Sequence, residues 1–140
     1  MVRMPKDVMD LLRAAPDPSI SKAIATVNDE GVPNIAPMGS ITAVDDETIS
    51  FMDGALLKTR ENLERGKNKK VAFIVIKQAQ PITAYQIKGT FVGFQTSGPI
   101  YENWAKSMKA RGYPPPRAIG LAKVDEVYSS TPGDGSKKLS

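Results

Sequence analysis

The segment Asp53-Gly54-Ala55-Leu56-Leu57-Lys58-Thr59-Arg60-Glu61-Asn62 joins an alternating stretch typical of a strand, residues 48–52, to a charged stretch typical of a helix. Backbone N–H groups at the start of a helix have no partner within the helix, and the helix dipole favours negative charge there. Asn62 follows Lys58 and Thr59 by about one turn, so the three side chains share one helix face. This spacing predicts an anion-binding site. The same residues also fit an ordinary exposed helix start, with Thr59 as the N-cap and Lys58 solvated.

Outward from this junction, hydrophobic alternation and turn residues predict six strands and three helices. Residues 70–77 form a continuous apolar run rich in β-branched side chains, which is typical of a buried strand. Gly31 ends a turn between the first two strands, and Pro33 and Pro37 predict that the second strand lies at an edge or is bulged there. The predicted strands are residues 20–28, 32–44, 48–52, 70–77, 84–95 and 117–128, and the predicted helices are residues 5–14, 56–65 and 100–111.

The order of these elements predicts an antiparallel barrel with helical caps, because most strands follow one another without a repeated strand–helix–strand unit. Gly89 or Gly93 is expected to bend the long strand 84–95. The 140 residues fit a single domain, 1–140, whose polar segment 129–140 is expected to be a partly mobile tail.

Composition excludes several kinds of function. The chain has no His and no Cys, which excludes thiolate chemistry, Ser-His triads and ordinary zinc sites. Its carboxylates are scattered, so no metal site is predicted, and any redox chemistry has to come from an organic cofactor. No apolar run approaches the roughly 20 residues that span a bilayer, and the first residues lack the apolar stretch of a signal peptide. We therefore expect a cytoplasmic protein with no membrane partner.

The charge pattern does not indicate nucleic-acid binding. Net charge is +4, and a local basic group formed by Lys67, Lys69 and Lys70 has no aromatic residues interleaved with it. Nucleic-acid-binding surfaces usually combine a basic stripe with stacking aromatic side chains. We therefore expect no nucleic-acid partner.

Four segments of the chain, together with the order of its elements, resemble the FMN-binding split barrels related to pyridoxamine 5′-phosphate oxidase. The nearest subgroup in appearance is that of small FMN-binding and flavin-reductase-like proteins. The segments are residues 24–27 with Gly31 and Pro33, residues 34–40, residues 58–63 and residues 85–89. The resemblance extends over nearly the whole chain. It implies a mainly β fold, a six-stranded antiparallel split β-barrel with flanking helices, that forms a homodimer with the flavin at the interface.

The resemblance also implies which residues hold the cofactor. The flavin phosphate is expected at Lys58, Thr59 and Asn62, whose ammonium, hydroxyl and amide groups suit a phosphate. The isoalloxazine ring is expected along the second strand and the end of the third, where glycines allow close approach to the main chain. The ring residues are Pro37, Met38, Gly39, Ser40, Asp53 and Gly54. No catalytic residue is predicted, because the flavin itself supplies the redox chemistry.

Three other functions fit the same residues. The barrel could use a deazaflavin in place of FMN and still be an oxidoreductase. It could also store flavin or carry electrons without turning over a substrate. Finally, it could be a cofactor-free interaction module that binds RNA through Lys67, Lys69 and Lys70. The electron donor and acceptor are not predicted by the sequence.

Overall fold

The computed structural model describes residues 2–54 and 57–140, which form seven strands and three helices. In chain order the elements are α1 (Lys6–Arg13), β1 (Ile20–Val27), β2 (Pro33–Pro37), β3 (Thr42–Ala43), β4 (Thr48–Asp53), α2 (Leu57–Arg65), β5 (Lys70–Lys77), β6 (Thr83–Gln95), α3 (Pro99–Ala110) and β7 (Ala118–Ser129). The predicted helices lie within about one residue of the observed ones. The predicted first residue of α2, Leu56, lies outside the described residues.

The strands form one antiparallel sheet in the order β2-β1-β5-β6-β7-β4-β3. The fold is mainly β and is the split barrel that the resemblance implies. The predicted order expected most strands to lie beside their neighbours in sequence. Two observed pairings differ, because β1 pairs with β5 as well as with β2, and β4 pairs with β7. Both of these pairings join segments separated by a helix.

The sheet has seven strands instead of six because the predicted second strand, residues 32–44, is interrupted. Pro37 is the last residue of β2, and Met38 N–H still donates to the carbonyl of Lys22, the next residue in register on β1, at 3.0 Å. A turn follows, in which Ile41 N–H donates to the Met38 carbonyl at 3.5 Å. The chain then resumes as β3, which pairs with β4. Because β2 and β3 are the two edge strands of the sheet, residues 38–41 connect one edge to the other.

The interior of the barrel is filled by apolar side chains from the sheet and by Val8 and Leu12 of α1. At its centre Phe51 packs against Phe73, with ring centroids 6.0 Å apart. Gly120 makes this arrangement possible, because a Cβ atom at that position would lie 2.3 Å from Phe51 Cζ. None of the helices in the described part of the chain is long and apolar enough to cross a membrane.

The long strand β6 bends at both of the predicted glycines. Its pairing with β7 shifts register between Lys88 and Gly89 and again between Phe91 and Gly93. Gly93 adopts a φ of +139°, which side-chain-bearing residues rarely reach, and a Cβ at Gly89 would lie 2.6 Å from the Lys123 carbonyl oxygen. Both glycines are therefore needed for the curvature of the sheet.

The C-terminal segment folds back along β7. Ser129, predicted as the first residue of the tail, is the last residue of the strand. Farther along, Leu139 N–H donates to the Val127 carbonyl at 2.8 Å, and Ser140 Oγ donates to the Arg3 carbonyl at 2.6 Å. The partial mobility of residues 129–140 stays a prediction.

Candidate functional site

Helix α2 is fixed to β1 and β2 by two polar pairs. Asn62 Nδ2 donates to Thr26 Oγ1 at 3.0 Å, and Asn34 Nδ2 donates to Thr59 Oγ1 at 3.3 Å. Thr26 and Asn34 are register partners on β1 and β2, so both pairs lie on the same face of the sheet. Asn62 and Thr59 are 7% and 3% exposed, respectively. The structure therefore brings two of the three predicted phosphate residues together and gives each a defined partner.

Lys58, the third predicted phosphate residue, lies on the exposed side of α2. Its side chain is 74% exposed, and its Nζ is 3.8 Å from Glu61 Oε2. An exposed pair of this kind contributes little to stability, about 0–1 kcal/mol, so the ammonium is free to turn toward a ligand. Thr59 is not the N-cap of α2, because the helix already includes Leu57 and Lys58.

The donors needed by a phosphate remain available at this end of β2. Thr59 Oγ accepts a hydrogen bond from Asn34 but can still donate its own hydrogen, and the Asn34 amide has a second N–H. The first backbone N–H groups of α2, including that of Lys58, also lack partners within the helix. An anion here would meet neutral donors from the sheet and one mobile ammonium.

The predicted ring residues lie at the other end of β2. Asn34 and Pro37 are separated by three steps along the strand, roughly 10 Å at 3.3 Å per residue. Beyond Pro37, Ser40 Oγ accepts a hydrogen bond from Met52 N–H at 2.9 Å. This contact brings residues 37–40 beside the end of β4, where Asp53 and Gly54 follow.

Open space adjoins both glycines of the predicted ring site. A Cβ atom built on Gly39 or on Gly54 would have no heavy atom of the described residues within 4 Å. Met38 differs, because its side chain is only 7% exposed and belongs to the hydrophobic core. A planar ring could therefore approach the main chain at the glycines, while Met38 contributes core packing.

Asp53 is a buried carboxylate at the end of β4. It is 5% exposed, and its Oδ2 is 3.5 Å from Arg60 Nη1 but has no hydrogen-bond partner within the described residues. Burial raises the pKa of Asp53, and the positive charges of Arg60 and Arg117 oppose that rise. Arg60 itself donates to Glu64 Oε2 at 2.8 Å. Asp53 is therefore a buried carboxylate at the end of β4 whose burial is only partly offset by neighbouring positive charge.

Sequence reasoning missed Thr26, Asn34 and Arg60. Thr26 alternates with Ile24 on β1, and a polar residue at an inward position of a strand is a signal that it has a buried partner. Asn34 lies opposite Thr26 only because of the hairpin register, which the turn at Gly31 could have indicated. Arg60 precedes Glu64 by one helical turn, a spacing that predicts an ion pair but not its proximity to Asp53.

Comparison with known proteins identifies related folds along almost the entire chain. A family model for pyridoxamine 5′-phosphate oxidase matches residues 10–131. None of the curated proteins matches the chain. Among solved structures, HupZ from Group A Streptococcus is 25% identical, and the similarity covers 98% of this chain and 99% of that chain with a TM-score of 0.79.

Two more distant structures share the fold. An FMN-binding protein from Syntrophomonas wolfei subsp. wolfei is 18% identical, with a TM-score of 0.73 and coverage of 88% of this chain and 83% of that chain. HutZ, a heme storage protein from Vibrio cholerae, is 12% identical, with a TM-score of 0.61 and coverage of 92% and 96% of the two chains, respectively. The same fold thus accommodates two chemically different ligands.

Proposed function

Because the chain belongs to the pyridoxamine 5′-phosphate oxidase family, we propose that it is an FMN-binding flavoprotein that acts as an oxidoreductase or electron-transfer protein. The phosphate of FMN binds at Lys58, Thr59 and Asn62, and the ring lies along residues 37–40 toward Asp53 and Gly54. FMN supplies hydride or electron transfer when bound, and the protein positions it. The observation that carries the proposal is the fixing of Thr59 and Asn62 at one end of β2, with the open main chain of Gly39 at the other.

Asn34 is a further phosphate residue in this proposal. Its amide already orients the Thr59 hydroxyl, and its second N–H can donate to the same anion. Thr26 holds Asn62 in the same way from the neighbouring strand. The proposed phosphate site therefore depends on the contacts of α2 with β1 and β2 as well as on the helix itself.

The outward face of the sheet supports the proposal of a homodimer. Ile24 and Phe73 are buried on the inward face, so their neighbours Ala25, Ala72 and Ile35 point outward, where Ile35 is 73% exposed. A contiguous apolar surface of this kind favours contact with another protein surface. A second copy of the chain is the occupant proposed here, with the flavin at the interface between the two copies.

Haem is the ligand named for one structural neighbour, HutZ. Haem iron is usually held by His or Cys, and this chain contains neither, which leaves only Met and Tyr among the usual axial ligands. Coordination of haem iron does not use a phosphate pocket such as the one proposed at Thr59 and Asn62. The residues present therefore favour FMN.

The RNA-binding alternative is disfavoured by the contacts of its basic group. Lys69 Nζ donates to the Leu63 carbonyl at the end of α2, and Lys70 Nζ lies 3.3 Å from Asp125 Oδ2. Two of the three lysines thus make contacts within the chain. The deazaflavin and electron-carrier alternatives concern the same site and are separated by experiment.

The first experiment is an absorbance spectrum of the purified protein before and after addition of FMN. Bound oxidised FMN gives a yellow protein with two visible bands, a spectrum that differs from those of haem and of a deazaflavin. A colourless protein whose melting temperature does not rise with added FMN contradicts the proposal. Turnover of a reduced nicotinamide donor then separates an oxidoreductase from a flavin carrier.

Substitution of Lys58 tests the placement of the phosphate. Lys58→Gln removes an exposed charge, so we expect the fold to be unchanged and the affinity for FMN to fall roughly tenfold, the loss of one charge-assisted contact. Affinity for riboflavin, which lacks the phosphate, should be unchanged. Lys67→Gln is the matched control, because Lys67 is also exposed and lies beyond the end of α2. An equal loss for both ligands excludes Lys58 as a phosphate residue.

A further inference from the structure

A cavity of about 320 Å³ lies between the linker that follows α1 and the turn that contains Gly39. Its wall includes Lys22, Arg111 and Asp17. Small-molecule sites in proteins have volumes of roughly 300–1,000 Å³, so the cavity is large enough for a small organic ligand. Because Gly39 belongs to the proposed ring segment, a ligand in this cavity would lie beside the flavin.

Lys22 is a half-buried cation held by carbonyl groups. Its Nζ donates to the Leu12 carbonyl at 2.8 Å and to the Ile41 carbonyl at 2.7 Å, which leaves one of its three N–H donors. Burial lowers the pKa of Lys22. Among the residues that the structure describes, no carboxylate oxygen lies within 4.0 Å of this ammonium. Buried cations are ordinarily paired with an anion, so this site lacks a counter-ion.

Asp17 does not supply that counter-ion. Its Oδ1 accepts from both the N–H and the hydroxyl of Ser19, each at 2.8 Å, and these bonds lower the pKa of Asp17. The carboxylate is therefore held by its own turn. Arg111, the residue that ends α3, adds a second cation to the cavity and forms no salt bridge within residues 2–54 and 57–140. Two cations and one engaged carboxylate leave an excess of positive charge.

We propose that this cavity binds the carboxylate or phosphate group of a small organic molecule, with Lys22 and Arg111 as its ligands. The free N–H of Lys22 and the guanidinium fork of Arg111 provide charge-assisted hydrogen bonds to such a group. The anion site follows from the cavity and its charges. Its role in holding the substrate beside the flavin rests on the proposed function.

The test is a titration of FMN-loaded protein with inorganic phosphate and, separately, with acetate, followed by amide and side-chain NMR. FMN occupies its own phosphate site in this sample, so added anions report on the cavity. We expect saturable shifts at Lys22, Gly39 and Arg111, and a roughly tenfold weaker affinity in Arg111→Gln. Lys106→Gln, an exposed charge removed from α3, is the matched control and should leave the affinity unchanged.

Two results overturn the proposal: no saturable shift at these residues, or equal affinity in Arg111→Gln and Lys106→Gln. Lys22→Met provides an independent arm, since it removes the ammonium but keeps the apolar stem, and it should abolish the shifts at Gly39. The same titration on FMN-free protein separates the two proposals. Shifts at the cavity in a protein that binds no FMN support the anion site and contradict the proposed function. A protein that binds FMN but shows no such shifts supports the proposed function and contradicts the anion site.

Discussion

At the scale of one residue, substitution of Gly39 distinguishes an effect on packing from an effect on ligand binding. Because a Cβ at this position would meet no heavy atom of residues 2–54 and 57–140 within 4 Å, we expect Gly39→Ala to change the melting temperature little. The added methyl group should nevertheless weaken FMN binding roughly tenfold or more, because it occupies space that the ring needs. Thermal unfolding and a fluorescence titration with FMN measure the two effects separately.

Gly120 provides the contrasting control for this prediction. A Cβ there would lie 2.3 Å from Phe51 Cζ, so Gly120→Ala should destabilise the fold by about 1–3 kcal/mol through overpacking. If Gly39→Ala destabilises the fold as much as Gly120→Ala, then Gly39 has a structural role. If it changes neither stability nor FMN affinity, the ring does not lie against this segment.

Asp53 makes the second prediction at this scale, a dependence of stability on pH. Because burial raises the pKa of Asp53 above 3.8, its contribution to stability is fully present below about pH 3.8 and is lost as the pH rises through the raised value. Asp53→Asn resembles the protonated form. We therefore expect its stability advantage over the wild type to grow with pH above 3.8, as measured by urea unfolding.

Glu30→Gln is the control for the removal of one negative charge, since Glu30 is exposed in the turn between β1 and β2. Its effect on stability should not follow the same pH profile. A constant difference between Asp53→Asn and the wild type across this range would show that Arg60 fully offsets the effect of burial.

At the scale of one element, the docking of α2 depends on Thr26. Thr26→Val keeps the shape of the side chain but leaves the buried amide of Asn62 without its partner. We expect a loss of about 1–3 kcal/mol in the free energy of unfolding and weaker FMN binding, because Asn62 and Thr59 are no longer held in place. Denaturant unfolding and FMN titration measure the two effects.

Thr83→Val at the start of β6 is the matched control, because its hydroxyl forms no hydrogen bond within the described part of the chain. It should change neither quantity appreciably. An equal effect of the two substitutions on FMN binding would contradict the role given to Thr26.

The elements themselves were predictable to different degrees. Residues 70–77 were predicted with the observed bounds, because a continuous apolar run rich in β-branched residues specifies a buried strand locally. Pro33 and Pro37 predicted an edge or a bulge in the second strand, but not that the chain would leave β2 after Pro37 and resume as a separate strand, β3. The turn is closed by Ile41 N–H donating to the Met38 carbonyl, and Met52 N–H on β4 donates to Ser40 Oγ, a contact that depends on tertiary structure.

In the candidate site too, residue types could be predicted from the sequence, whereas the contacts set by tertiary structure could not. The types and spacing of Lys58, Thr59 and Asn62 predict an anion site on one helix, and that site stays a prediction. Their orientation was not predictable, since the side chains of Thr59 and Asn62 are directed by Asn34 and Thr26 on two distant strands. A helical pattern specifies which residues share a face but not the surface that this face meets.

At the scale of the whole molecule, the outward face of the sheet gives a prediction about assembly. Ile35→Glu places a charge at the centre of the proposed interface, where Ala25 is its register partner. Burying that charge is costly, so we expect the dimer to dissociate and FMN binding to weaken with it. Light scattering during size-exclusion chromatography measures the assembly.

Val92→Glu is the control, because Val92 is 56% exposed on β6 and lies outside the outward face formed by β1, β2 and β5. It should leave the dimer intact. A dimer that persists in Ile35→Glu would show that this face is not the interface, and retention of FMN by a monomeric variant would show that the flavin site does not require a partner.

The position of Trp104 makes it a fluorescent reporter of the site. It is the only tryptophan in the chain, and its indole N–H donates to Ser50 Oγ at 3.4 Å, which places it against the strand that ends at Asp53. Tryptophan emission overlaps flavin absorption, so a flavin bound along this strand would accept its excitation energy. Quenching of Trp104 emission therefore gives an optical measure of occupancy that needs no label.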